Sequence, residues 1–152
     1  MTVADRLAEL GIELPRPAAP VAAYVPVVVV GHLAHVSGQL PFVDGKLVTG
    51  RLGEDVTLEQ GTAAARACGL MILAQLEAAL GSLDRVERVV KLGAFVSSAA
   101  AFTDQPKVAN GASDLMAEVF GEAGRHARSA VGVPVLPLGA AVEVDAIVAL
   151  RP

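Results

Sequence analysis

The sequence predicts an α+β domain with its helices on one face of a sheet, and three observations carry that expectation. Short apolar segments rich in strand formers occupy both ends of the chain. Two helix-length segments interrupt them, in the order strands, helix, strand, helix, strands. The 152 residues are enough for one domain with its own core. At 53% hydrophobic but only 3% aromatic residues, that core is built from Val, Ala and Leu. So apolar a chain also suggests that other subunits cover part of its surface.

The elements follow in order. Thr2 is placed to cap a short helix with Val3, Leu7 and Leu10 on one face. Pro15, Pro17 and Pro20 then enforce an extended connector. Residues 1–20 thus read as a helix and Pro-rich arm leading into a domain over 21–152. Val21 to Gln39 reads as a hairpin, its strands Val25–Val30 and Leu33–Val36 joined by Gly31-His32, the Gly-X pair of a type II′ turn. Asp44-Gly45 makes a second turn, between Leu40–Val43 and Lys46–Val48. Thr57-x-x-Gln60 is a capping box, opening a helix that runs to about Leu80 and stops at Gly81. Its polar stripe is narrow (Glu59, Arg66, Glu77), so it is expected to be covered on most sides. A turn at Asp84–Glu87 leads into a strand over Val89–Val96. Pro106 sits where a second helix begins, and Gly121 and Gly124 end it after about Phe120. Ala127–Val133 and Ala141–Leu150 are the closing strands.

Twelve Lys and Arg against sixteen Asp and Glu give a net charge of -4. Arg85/Arg88/Lys91 and Arg125/Arg128 are short groups mixed with acids, so no nucleic-acid partner is expected. Val25–Val30 is too short to span a bilayer, and Met1–Glu9 carries Asp5 and Glu9 rather than a long apolar run. The expectation is a cytoplasmic protein with no membrane contact. The one cysteine, Cys68, lies in an Ala- and Leu-rich helical pattern and reads as a small buried hydrophobe. His32-x-x-His35 would point two imidazoles to different faces of a strand with no ligand cluster beside them, so no metal is expected. Ser37 and Ser129 have no patterned His–Asp partner.

The closing strands hold the candidate site. Alternation puts Arg128, Ala130 and Gly132 on one face, a guanidinium beside two very small residues. Glu143 and Asp145 point away from the apolar face of Val142, Val144, Ala146, Val148 and Leu150. Antiparallel pairing about a loop centred near Pro137 would set Glu143 opposite Ala130, close to Arg128. Such an Arg fork suits a carboxylate, and a nearby Glu suits the activation of water. A cross-strand surface ion pair of no functional weight is the competing reading. His126, two residues before Arg128, is a candidate proton-transfer group, with an exposed loop histidine as its alternative. Asn110 on the second helix is placed either to reach the same cleft or simply to face solvent.

Arg128 to Ala146 reads RSAVGVPVLPLGAAVEVDA, and Ser37 to Pro41 reads SGQLP, with Tyr24-Val25 some thirteen residues upstream. These stretches resemble the signatures of the Rid/YjgF family, also described as endoribonuclease L-PSP, and the likeness extends over Ala19 to Leu150. Val108–Gly121 and Gly124–Arg128 resemble a divergent branch of it. The resemblance implies a chorismate-mutase-like sandwich: a mixed six-stranded sheet with two helices packed on one face, in a homotrimer with ligand clefts between neighbours. It implies that Arg128 holds the carboxylate of a 2-imino acid and Glu143 orients the attacking water. Ser37, the backbone of Gly38 and Ala130, and Tyr24 would line the cleft. The implied reaction is hydrolysis of an enamine or imine to a 2-oxo acid and ammonia, without cofactor. Ala130 stands where many members carry cysteine, which favours a second reading, a trimer that binds small carboxylates or serves in a stress response without turnover. Ribonuclease activity is a third reading, disfavoured by the charge of -4 and the lack of a basic, aromatic-lined groove.

Overall fold

The computed structural model describes residues 1–19 and 23–152. Pro20, the expected hairpin start at Val21 and the arm–domain boundary between 20 and 21 lie outside the described residues. The elements are α1 (Val3–Glu9), β1 (Val27–Val30), β2 (Leu33–Gln39), β3 (Phe42–Val43), β4 (Lys46–Leu47), α2 (Leu58–Leu80), β5 (Val86–Ser97), α3 (Gln105–Phe120), β6 (Ala127–Val133) and β7 (Val142–Leu150). One sheet runs in the order β1-β2-β7-β5-β6, and α2 and α3 pack on it through one shared core. Among the described strands of this sheet β5 and β6 run parallel and the other pairs antiparallel. The fold is the expected α+β arrangement with a mixed sheet.

Among the described residues the main sheet has five strands where six were expected. β3 and β4 pair only with each other, across an Asp44-Gly45 turn with both residues at positive φ. Pro41 precedes β3 and has no N–H to give a ladder, so the chain leaves the sheet there. The first hairpin forms as expected: Val30 pairs with Leu33, and of Gly31 and His32 only Gly31 has positive φ, as a type II′ turn requires.

The Thr57–Gln60 capping box is present, with reciprocal bonds of 3.1 and 2.9 Å, and Gly81 ends α2 at φ 82°. By length and composition α2 is apolar enough to cross a membrane, but 67% of its most apolar window is buried in the fold. The covering comes from the same chain. The sheet lies on one side, α3 crosses where a Cβ on Gly111 would overlap the Thr62 carbonyl, and the N-terminal arm lies beside Ala67, Leu70 and Met71. Gln75, 4% exposed, donates to the Ala18 carbonyl at 2.8 Å and to Gln39 Oε1 at 3.2 Å, tying that arm to α2 and β2. The apolar surface of α2 therefore gives no argument for a partner subunit.

β5 starts at Val86, three residues before the expected Val89. Two bulges, between Val86 and Arg88 and between Val89 and Lys91, reset its inward face so that Val86, Val89 and Leu92 are all buried. A period of three does not read as a strand in sequence.

The candidate site and the chain's relatives

The expected pairing of β6 with β7 does not occur. β5 lies between them, parallel to β6 and antiparallel to β7. Arg128 sits beside Leu92, and Leu92 beside Ala146, all on the helix-packed face. Glu143 sits beside Phe95, on the open face. Arg128 and Glu143 therefore lie on opposite faces of the sheet and do not meet within one chain. Alternation along β6 and β7 fixes their faces but says nothing about which strands are neighbours.

The Arg128 half is built by α3. Nη1 donates to Asn110 Oδ1 at 2.8 Å and to Ser113 Oγ at 3.0 Å, and Nη2 donates to the Pro106 carbonyl at 3.3 Å. Asn110 and Ser113 are three apart on a helix and so present neighbouring side chains, with Pro106 one turn earlier. A guanidinium has five N–H groups, and these three bonds use both of Nη1 and one of Nη2. Among the described residues nothing takes Nε–H or the second Nη2–H, which leaves two donors free for a carboxylate. His126 joins the group through Nε2 to Ser113 Oγ at 2.9 Å and Nδ1 to the Gly124 carbonyl at 2.6 Å. A cavity of about 330 Å³ opens beside Ser113, His126 and Arg128. The space expected beside Gly132 is filled: a Cβ there would lie 2.6 Å from the Gln105 amide, which is held by the Phe102 carbonyl at 2.8 Å. Ala130 is half-buried on β6, an edge strand, whose outward N–H and C=O groups have no strand beside them.

The Glu143 half is built by β2 and β7. A bulge after Val36 turns both Val36 and Gln39 inward, three residues apart, and leaves Ser37 and Gly38 half-buried between them. Glu143 packs directly against Gly38, where a Cβ would overlap its carboxylate. Burial, and then the neighbouring Asp145, raise the Glu143 carboxyl above its ordinary value. Ser37 donates its amide to the Pro26 carbonyl at 2.9 Å, and its hydroxyl accepts from Gln39. Tyr24 is exposed just before β1. Sequence reading missed Ser113 and Gln75, a serine inside a helix and a glutamine among alanines and leucines, neither of which carries a spacing signal.

His32 lies in the hairpin turn and His35 on the open face of β2, and no cluster of three metal-ligating side chains occurs among the described residues. Cys68 is fully buried, its thiol raised well above the usual range by burial.

Sheet order, two helices on one face and an arginine held by α3 on the edge strand define a small α+β sandwich protein. The chain belongs to the family described as "YjgF/chorismate_mutase-like, putative endoribonuclease", whose model matches residues 4–150. Protein TCP17 of Trypanosoma cruzi is 60% identical over 151 residues, 98% of this chain and 94% of that protein. A Shewanella oneidensis crystal structure described as "a putative endoribonuclease" superposes with a TM-score of 0.95 at 40% identity, covering 99% of this chain and 100% of that one. RidA from an Antarctic Psychrobacter is further off, with a TM-score of 0.61 and 31% identity over 89% of this chain and 94% of that one.

Proposed function

We propose that this protein hydrolyses 2-imino acids to 2-oxo acids and ammonia in a cleft between two copies of the chain. The observation that carries the reading is the Arg128 fork, held on three bonds by α3 with its carboxylate-binding edge unoccupied among the described residues. Because β5 separates Arg128 from Glu143 within one chain, this reading has a second copy supply the other half. Val28, Val29 and Val30 on one edge strand and Val131 on the other are exposed, which suits edge-to-edge assembly into a homotrimer. In the cleft, Arg128 would bind the substrate carboxylate, while Tyr24, Ser37 and the backbone of Gly38 and Ala130 would line it. Glu143, its carboxyl raised toward working pH, would take a proton from water as the oxygen adds to the imine carbon. Proton transfer to nitrogen and collapse of the adduct would release ammonia. The RidA relative bears on this by name only. Ala130, in place of a thiol, favours the second reading, binding of small carboxylates without turnover.

The test is subunit complementation. Arg128→Ala and Glu143→Gln chains, each inactive alone, are co-expressed and assayed for ammonia release from freshly generated 2-iminobutanoate. Random assortment places an intact Arg128 against an intact Glu143 at about one interface in four, so about a quarter of wild-type activity should return. No recovery would overturn the shared cleft. A wild type that binds 2-oxobutanoate yet releases no ammonia would establish the binding reading.

A further inference from the structure

Behind the Arg128 fork runs a chain of hydrogen bonds that all point one way. The Gly124 carbonyl only accepts, so the 2.6 Å contact places the His126 proton on Nδ1. With the proton on Nδ1, an unprotonated Nε2 can accept from the Ser113 hydroxyl at 2.9 Å. With its proton directed there, Ser113 Oγ offers its lone pairs to Arg128, whose Nη1 donates across 3.0 Å. Bonds aligned head to tail polarise one another and are stiffer than isolated pairs. The far end is fixed as well, because Gly124 lies so close to α3 that a Cβ there would overlap the Met116 carbonyl.

We infer that Ser113 and His126 are positioning residues for Arg128, aiming its free Nε/Nη2 edge at the ligand carboxylate. The inference rests on the carboxylate-binding reading of Arg128 above. An arginine on a flexible stem loses affinity if its fork must be ordered when the ligand arrives. Asn110 and Pro106 hold the outer part of the guanidinium, and Ser113 shares Nη1 with Asn110. Removing Ser113 leaves that nitrogen a single partner and frees the plane to turn. His126 acts one bond further back, by fixing which way the Ser113 hydroxyl points.

The experiment uses the full chain, with 2-oxobutanoate titrated by calorimetry and 2-iminobutanoate turnover followed in parallel. Ser113→Ala should raise Kd and KM about tenfold, the size of one hydrogen bond to a charged group, with kcat within about twofold of wild type. Ser113→Thr, which keeps the hydroxyl, should restore binding. His126→Ala should weaken binding similarly. The double variant should lose no more than the weaker-binding single, because both act through one bond to Arg128. Wild-type affinity in Ser113→Ala, or losses that multiply in the double variant, would overturn the inference. So would a loss that tracks the melting temperature and is not rescued by threonine, since that marks a structural staple between β6 and α3. Arg128→Ala separates the two levels. If it binds 2-oxobutanoate like wild type, or if wild type does not bind it, the reading of Arg128 fails and the inference with it. If Arg128→Ala alone loses binding, only the inference fails. The affinity measurements decide even if no turnover is found.

Discussion

Gly38 matters through what it lacks. Its missing side chain is the space in which the Glu143 carboxylate lies. The end of a flexible side chain gives way easily, so Gly38→Ala should leave the melting temperature near that of wild type. It should still lower imine turnover at least about tenfold, since a misplaced catalytic group costs on that scale. Unchanged turnover would remove Glu143 from the chemistry. Asp145 behaves differently. Burial raises its carboxyl, with Gly93 and Lys91 pulling the other way. A carboxyl raised in the fold makes stability fall as pH climbs from the ordinary value of 3.8 through the raised one, and the deficit persists at neutral pH. Asp145→Asn should therefore raise the melting temperature at pH 7, with the gain vanishing below pH 3.8. A gain of the same size at every pH would trace to packing instead of charge.

At the scale of elements, helix ends and strand faces were legible, but sheet order was not. The Thr57 box, Gly81, Pro106 and the Gly31 turn each work through a few adjacent residues, and all are where the sequence puts them. The pairing of β6 with β7 was drawn from loop length, yet β5–α3–β6 is a strand–helix–strand unit, which favours parallel neighbours. Giving that rule priority would have separated Arg128 from Glu143 in advance. The β5 bulges and the Gln39–Gln75 bond depend on contacts distant in sequence and leave no local pattern. The α2–α3 crossing is the tightest place between elements. Gly111→Ala would push a methyl into the Thr62 carbonyl, backbone that cannot rotate away. It should cost about 1–3 kcal/mol in denaturant unfolding. A neutral effect would mean that the helices separate at little cost.

For the whole molecule, the proposed split site would make assembly a condition of function. Sedimentation equilibrium at micromolar concentration should return about three times the 15.5 kDa chain mass, the ring the proposal requires. A monomer would leave every Arg128 without a Glu143 opposite it.

The bond from Gln75 to Ala18 also sets an order of events. The arm is synthesised before α2 and β2, yet its seat is made of residues of those later elements. It can dock only after those elements have come together, so its contacts belong to the last stage of folding and the first stage of opening. Interactions formed after the transition state slow unfolding without speeding folding. Gln75→Ala removes the donor to Ala18 and should leave the folding limb of a denaturant chevron where it was. The unfolding limb should rise about fivefold to thirtyfold, for a loss of about 1–2 kcal/mol. If the folding limb falls instead, the arm is part of the nucleus.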